Sequence, residues 1–329
     1  MKVRDISCLE KFKLDEKDPV IKSLLEKSDA LATIVNKRIT DLRNIDTLIK
    51  SLKDNFTENK IEYYEAQDDE EALDIILEIV KGKKVGLYNK FEVKEINAED
   101  NLKGHTELIN ITIDASRTLL YDLEASVTPA DLAISETGSL VFFADYALGT
   151  LITIPKIHVM VLGIDRIFNG YFETMRYAYL IWNTLLRQSY NISIISNPSR
   201  TGDIEKIVVY GAHGPRELHV ILLDNGRKEI LENESFRHVL ARTHLRYLSY
   251  AYQDLENCLV REDLTTSIPD LFLNTIKVKK TGNVEKLTKN KHALMELKNK
   301  MLSVLQDREV LDAIDEFVKE LGSLEGGVK

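Results

Sequence analysis

Apolar side chains recur with helical spacing at both ends of the chain. Near the N-terminus the repeat begins at Asp18-Pro19, an N-cap residue followed by proline at the first helical position. A second amphipathic pattern covers Asp69 to Lys81, inside the domain predicted below. The pattern is helical again from Ser235 to about Glu262, and after a Ser/Thr/Pro-containing connection a final amphipathic stretch covers Val284 to Leu321. The pattern therefore predicts helical extensions over residues 1–65 and 235–329.

The middle of the chain carries shorter apolar runs without helical spacing. Runs that are rich in β-branched residues and apolar on both faces are typical of strands buried between helices. They lie at Lys84–Tyr88, Leu108–Ile113, Leu132–Ser135, Leu140–Phe143, Ile157–Gly163, Ile192–Ser196, Ile207–Gly211 and Leu218–Leu223. Amphipathic stretches at Ser116 to Ala125 and Tyr171 to Tyr190 can cover such a sheet. We predict an α/β fold over residues 66–234: a three-layer, Rossmann-like domain with a mostly parallel or mixed sheet.

Composition and charge restrict the class of protein. The 329 residues include 44 Lys and Arg against 53 Asp and Glu, for a formal net charge of −9. Because a nucleic-acid surface needs a concentrated basic face, we expect no nucleic-acid partner. No apolar run approaches the roughly 20 residues of a membrane span, and the first residues do not resemble a signal peptide. We therefore expect a cytoplasmic protein that does not bind a membrane.

Two cysteines, Cys8 and Cys258, occur in the sequence. A structural zinc site or an iron–sulfur cluster needs about four thiolates or a Cys/His set. The sequence therefore predicts reduced thiols, and neither a metal site nor a cofactor.

Small and polar residues interrupt the apolar pattern between Val127 and Ser139. They include a predicted turn made of Glu136, Thr137, Gly138 and Ser139. Its backbone N–H groups and hydroxyls could hold a carboxylate or a phosphate, although a tight connection between two strands is an equally good interpretation. In the same stretch Thr128 is a candidate ligand contact, and Asp131 is either a buried base or a cap of the turn.

A second polar segment runs from Ile195 to Glu205. It contains the candidate ligand-binding residues Ser199, Arg200 and Thr201. A guanidinium among hydroxyl donors can bind a carboxylate through two hydrogen bonds. The alternative is a loop salt bridge from Arg200 to Asp203 or Glu205.

Three histidines have different surroundings. His213 lies beside Gly214 in a glycine-flanked loop, where a titratable imidazole can approach a ligand closely. His158 and His219 lie within apolar runs and are interpreted as hydrogen-bonded core residues.

Four segments, taken in order and spacing, resemble the LUD (lactate-utilisation) domain family. They are V-T-P-A-D-L-A-I-S-E-T-G-S, P-K-I-H-V, S-N-P-S-R-T-G-D-I-E and G-A-H-G-P-R-E-L-H-V-I-L-L-D-N-G-R. The chain is most similar to the iron–sulfur subunits of this family. The resemblance implies a fold of the sugar-phosphate isomerase and CoA-transferase-like type. It also implies membership of a cytoplasmic complex that oxidises L-lactate to pyruvate.

The chain departs from the family pattern at two places. The positions of the family's four cluster cysteines are occupied by Arg242, Leu245, Leu248 and Tyr252. An electron-carrying cluster is therefore not expected, and Ala241 to Arg261 is predicted to form one amphipathic helix. The family's K-S-K-S segment is Leu87-Tyr-Asn-Lys90 here, which leaves Lys90 as a possible anion contact.

Three functional hypotheses follow. The first is a cluster-less LUD protein, an accessory protein or subunit in lactate (2-hydroxy acid) utilisation, with partner subunits of a lactate-oxidising complex. It would bind a small anionic metabolite, a carboxylate or phosphate, near Glu136, Ser139, Arg200 and His213, with His213 or Asp131 moving a proton. The second is a free-standing isomerase or acyl-transfer enzyme with Glu136 as base or nucleophile. The third is a structural subunit of a homo-oligomer, so the sequence leaves open whether the chain is an enzyme.

Overall fold

The computed structural model describes residues 7–112, 116–186, 190–201, 209–211, 213–252, 254–255, 258–259 and 267–325. Its chain divides into two compact units. An α/β unit comprises the described parts of residues 44–182 and 187–225, and a helical unit comprises those of 1–43, 183–186 and 226–329. The domain boundaries placed after residues 65 and 234 stay a prediction.

The described strands belong to the α/β unit. They are β1 (Glu62–Ala66), β2 (Lys84–Leu87), β3 (Glu107–Asn110), β4 (Ala125–Pro129), β5 (Leu132–Ile134), β6 (Ser139–Ala144), β7 (Ile157–Gly163), β8 (Ile167–Phe168), β9 (Asn191–Ile195), β10 (Arg200–Thr201), β11 (Val209–Tyr210) and β12 (Glu217–Leu223). Six form a sheet in the order β1-β12-β7-β4-β2-β3, and every neighbouring pair is parallel. A second sheet has the order β8-β5-β6-β9, and β10 pairs with β11.

Helices occur in both units. They are α1 (Ser7–Lys11), α2 (Pro19–Glu26), α3 (Ser28–Arg43), α4 (Ile45–Glu58), α5 (Asp69–Val80), α6 (Phe91–Glu95), α7 (Ala98–Leu102), α8 (Arg117–Tyr121), α9 (Tyr146–Leu151), α10 (Tyr171–Ile181), α11 (Arg227–Glu232), α12 (Glu234–Ala241), α13 (Leu248–Ala251), α14 (Ile268–Thr281), α15 (Val284–Leu297), α16 (Ser303–Leu305) and α17 (Arg308–Glu325). Short 3₁₀ or π turns cover Ile164–Arg166, Trp182–Leu186, Thr243–Tyr247 and Lys298–Leu302.

The predicted α/β class is confirmed: a parallel sheet is flanked by helices, in a Rossmann-like fold with helical extensions. The apolar runs are buried on both faces because they form the central strands, as in β12, which has six buried residues of seven. Four strands escape prediction, and two of them, β8 and β10, have only two residues each. In β4 the polar side chains of Ser126 and Thr128 interrupt the apolar pattern, and in β1 a sheet-edge position leaves most of the side chains partly exposed.

The helical unit differs from the sequence prediction at three places. The predicted helix Val284 to Leu321 is wrong, since Gln306 adopts φ +51° and separates α16 from α17. Ile268–Thr281, predicted as a connection, is helical because Ser267 caps it and a proline begins it. The predicted continuous helix from Ala241 is also wrong, because Arg242 leaves the helical region at φ −90° and ψ 56°.

Aromatic side chains from three helices form the centre of the helical unit. The rings of Phe236 and Phe272 have centroids 5.0 Å apart, and those of Phe272 and Phe317 lie 4.2 Å apart. The three phenylalanines therefore join α12, α14 and α17.

Candidate functional site

Helix α4 fixes the predicted Glu136–Ser139 turn, which connects β5 and β6. The Asn59 side-chain amide donates to the carbonyl oxygen of Thr137 over 2.8 Å, and that of Asn55 donates to Ser135 over 2.7 Å. Gly138 has φ +62°, and a Cβ built there would lie 2.8 Å from the Asn55 Cβ. The position requires glycine on both grounds.

The backbone N–H groups of this turn are already bonded within the protein. Glu136 N donates to the Asn169 carbonyl over 3.0 Å, and both Thr137 N and Gly138 N donate to the Ile134 carbonyl, over 3.3 and 2.9 Å. The expectation of a backbone nest that receives an anion is therefore wrong. These backbone hydrogen bonds agree with the alternative interpretation, in which the turn is a tight connection between two strands.

The Glu136 carboxylate caps a helix. Its Oε2 accepts a 2.7 Å hydrogen bond from the backbone N–H of Tyr171, the first residue of α10, and the side chain is exposed. A carboxylate at a helix N-terminus is stabilised by the helix dipole. This contact gives Glu136 a structural function, and a catalytic one stays a prediction.

The turn's hydroxyl groups are linked to the next polar segment. Thr137 Oγ1 donates to Ser139 Oγ over 2.8 Å, and Ser139 Oγ lies 2.8 Å from Ser196 Oγ. The antiparallel register of β6 and β9, which places Leu140 opposite Ile195, brings these serines together. The structure therefore connects two segments that are about 57 residues apart.

Ser199, Arg200, His213 and Gly214, here called the amino-edge group, lie on two segments that are hydrogen-bonded to each other. Ser199 Oγ accepts from His213 N over 3.2 Å, and the Ser199 carbonyl accepts from Gly211 N over 2.7 Å. The Arg200 and His213 side chains are exposed. Thr201 pairs with Val209 in the same hairpin, whereas the proposed salt-bridge partners Asp203 and Glu205 lie outside the described residues.

This group lies at the amino-terminal ends of two central strands. Ser199 N donates to the Pro215 carbonyl, and Arg216 N donates to the carbonyl of Lys156, which directly precedes β7. Strand β12 begins at Glu217, one residue later.

Asp131 follows β4 at the opposite, carboxyl-terminal edge of the sheet, whereas Thr128 lies within β4, opposite Met160 of β7. Thr128 Oγ1 is 2.8 Å from His158 Nε2, and Asp131 Oδ2 accepts from Phe143 N over 2.8 Å. All three side chains are buried. A seven-residue strand such as β7 is about 20 Å long, so Asp131 cannot move a proton on a small anion held by Arg200. This estimate argues against that pairing, and a catalytic role for Asp131 stays a prediction.

A buried acid–phenol pair at the carboxyl edge was missed by sequence reasoning. Tyr88 follows β2 and donates its hydroxyl to Asp145 Oδ2 over 2.8 Å. Burial, and then the Asp145 charge, raise the pKa of Tyr88 far above its usual range. Asp145 also caps α9 by accepting from Leu148 N over 2.8 Å. A polar residue directly after a buried strand was the available signal for Tyr88.

Both core histidines are hydrogen-bonded, as interpreted from sequence. Burial lowers the pKa of His158 to about 3. His219 Nδ1 lies 3.3 Å from the Tyr64 hydroxyl, and burial lowers the pKa of His219 as well.

The helical unit contains a cavity of about 400 Å³. Half of its lining residues are aliphatic, including Leu24, Leu31 and Leu245, and the other half are polar, including Arg242. Arg242 donates to both Asp307 and Glu309. Among the described helices, none combines the length and the apolar character needed to cross a lipid bilayer.

The family model of the LUD domain matches residues 49–223, which is more than half of the chain. The chain belongs to the LUD domain family. The match covers the strands from β1 to β12 and therefore both edges described above.

Among curated relatives, Lactate utilization protein B of Bacillus subtilis (strain 168) is 28% identical over 160 residues, covering 46% of this chain and 31% of that protein. The protein of the same name from Bacillus cereus (strain AH820) is 28% identical over 180 residues, covering 54% and 36%. An uncharacterized protein of Neisseria meningitidis serogroup B is 29% identical over 113 residues, covering 34% and 47%. The chain thus spans less than half the length of these relatives.

A solved structure, that of a duf162 family protein from Deinococcus radiodurans, covers 54% of this chain and 98% of that one. Its sequence identity is 20% and its TM-score is 0.42.

Proposed function

We propose that this chain is an accessory protein or subunit in the cytoplasmic utilisation of lactate or a related 2-hydroxy acid. Its LUD domain and the lactate-utilisation names of its relatives support this role. Chemistry that needs an electron carrier would take place on a partner subunit, because the chain's two cysteines are too few for a cluster.

The proposal that the chain binds a ligand is supported by the contact between the two loops that hold the amino-edge group. An exposed guanidinium, an exposed imidazole and the Ser199 hydroxyl occupy one pair of loops. Gly214 lets the two loops approach, since a Cβ there would lie 3.1 Å from the Ser199 Cβ. Arg200 would bind the carboxylate of a small metabolite, and His213 would hydrogen-bond its neighbouring oxygen.

The ligand proposal is tested by calorimetric titration of the protein with L-lactate, pyruvate and inorganic phosphate. We expect saturable binding of one of these probes, weakened about tenfold or more by Arg200→Ala, because a charge-assisted bidentate contact is lost. Arg176→Ala is the matched control, since Arg176 is an exposed arginine of the same unit on α10. Equal binding by wild type and Arg200→Ala would refute the role of Arg200.

The subunit role predicts a surface that a partner covers. On α10, Phe172 is 85% exposed and Tyr179 is 54% exposed. Large exposed aromatic side chains often mark protein-binding surfaces. Native purification from the source should recover partner proteins with wild type, and fewer with Phe172→Asp. Recovery of the chain alone in both cases would count against the subunit role.

The alternative of an enzyme with Glu136 as base or nucleophile gains no support from the geometry, because one carboxylate oxygen caps α10. Turnover by the purified chain that Glu136→Gln abolishes would reinstate it. The structural homo-oligomer stays a prediction.

A further inference from the structure

A buried arginine follows the central strand β7. Arg166 ends the 3₁₀ turn Ile164–Arg166 and is 1% exposed. It therefore lies at the carboxyl-terminal edge of the parallel sheet, where α/β folds of this kind usually bind their ligands. This is the opposite edge from Arg200.

Two carboxylates lie near this guanidinium, but not at hydrogen-bond length. Arg166 Nε is 3.5 Å from Asp165 Oδ2 and 3.8 Å from Glu92 Oε1. Charge-assisted hydrogen bonds are about 2.7–2.9 Å long. Arg166 Nη1 is buried and has no hydrogen-bond acceptor. A buried guanidinium with unmade hydrogen bonds is unfavourable and needs an explanation.

A buried arginine elsewhere in this chain shows what a satisfied one looks like. In the helical unit, Arg237 donates twice to the Leu231 carbonyl, over 2.9 and 2.7 Å, and once to Glu234 over 2.6 Å. Arg166 Nε and Nη1 make no such bonds, although the side chain is at least as enclosed.

The segment that carries Glu92 is strained. Phe91, the first residue of α6, has φ +45°, which is rare for a bulky aromatic residue. Strain of this kind concentrates at ligand clamps and switch segments. Because α6 contacts β4 and β7 and carries Glu92 beside the guanidinium, a movement of Phe91 and Glu92 would open the space beside Arg166.

We propose that Arg166 is the anion-binding residue of a second site, at the carboxyl edge, and that it takes the carboxylate of a small organic acid. In the structure the Glu92 carboxylate lies near this guanidinium. The ligand's carboxylate would take its place when the ligand binds. We expect a ligand carboxylate rather than a phosphate, because the group that it would displace, the Glu92 side chain, is itself a carboxylate. This site does not depend on the proposed amino-edge site.

The test uses full-length protein carrying Arg200→Ala, which removes the guanidinium of the amino-edge group. L-lactate is titrated at pH 7 by calorimetry, with lactamide as the probe that lacks a carboxylate. In this background we expect saturable L-lactate binding and none of lactamide. Adding Glu92→Gln should tighten L-lactate binding about tenfold or more, because the competing carboxylate is gone.

Adding Arg166→Lys to the same background should weaken L-lactate binding about tenfold or more, since lysine keeps the charge but loses the planar fork of donors. Circular dichroism establishes whether each variant is folded. If Arg166→Lys does not fold, the L-lactate affinity of Glu92→Gln tests the proposal instead, because misfolding cannot increase affinity. Unchanged affinity in Glu92→Gln, unchanged affinity in a folded Arg166→Lys, or equal heats from lactamide overturn the assignment.

Discussion

Gly138 has φ +62° and lies directly against Asn55 of α4 and Asn59, which directly follows that helix. Two separate effects act at this one residue: the left-handed backbone disfavours any side chain, and a Cβ would collide with the helix. The sequence pattern E-T-G-S predicts the first effect, whereas the second depends on a helix about 80 residues earlier.

Replacing Gly138 by alanine should therefore lower the free energy of unfolding by about 2 kcal/mol or more. Gly104→Ala is the control, because Gly104 has φ +86° but open space around its Cβ position. It should cost about 1 kcal/mol, from the backbone alone. Urea unfolding measures both, and equal losses would show that the contact with α4 is unimportant.

The buried environment of His158 predicts how the stability of the protein depends on pH. Burial lowers the pKa of His158 from 6.5 to about 3, so the unfolded chain binds one more proton than the folded chain between these pH values. The free energy of unfolding should then fall as the pH decreases through this window, by up to about 1.4 kcal/mol per pH unit for one proton.

The measurement is urea unfolding between pH 7 and pH 5, above the range in which most carboxylates titrate. His158→Gln should show a shallower fall than wild type. Part of the slope should remain, because burial also lowers the pKa of His219 and His244. A slope identical to that of wild type would contradict the assignment to His158.

At the scale of elements, Asp145 joins a strand end to a helix start. It follows β6, caps α9 through Leu148 N and accepts the buried hydroxyl of Tyr88 from the end of β2. One carboxylate therefore satisfies two donors that would otherwise be buried and unpaired.

Asp145→Ala should cost about 2–4 kcal/mol of unfolding free energy, from the lost cap and the stranded Tyr88 hydroxyl. Tyr88→Phe removes only the hydroxyl and should cost about 1 kcal/mol. In the double variant the two losses should fall short of their sum, because the residues share one hydrogen bond. Full additivity in thermal and urea unfolding would show that this bond contributes nothing.

At the scale of the whole α/β unit, the two edges of the sheet separate the candidate residues. Arg200 and His213 lie at the amino edge, and Asp131 and Arg166 at the carboxyl edge. A small metabolite cannot bridge the roughly 20 Å between them.

A ligand held by Arg200 should therefore be insensitive to Asp131. We expect Asp131→Asn, if folded, to bind the amino-edge probe with wild-type affinity, whereas Arg200→Ala binds it about tenfold more weakly. Calorimetry on folded protein distinguishes them, and a large loss in Asp131→Asn would show that the two edges are coupled.

The sequence by itself determined the α/β class, most strands and the family. These follow from local patterns, because a strand that is apolar on both faces can be stable only between covering layers. It also identified candidate site residues, including Arg200, His213 and Asp131, whose roles stay predictions. The spacing of apolar residues did not predict the helix ends at Gln306 and Arg242, because neither end has a glycine or a proline.

Only the tertiary structure decided which of those residues meet. The pairing of β6 with β9 joins Ser139 to Ser196, and the parallel order of the large sheet puts Asp131 far from Arg200. It also brings Glu92 close to Arg166, although the two are distant in sequence. The physical reason is that a strand's direction and its place in the sheet set which edge each loop occupies, and both depend on long-range pairing rather than on neighbouring residues.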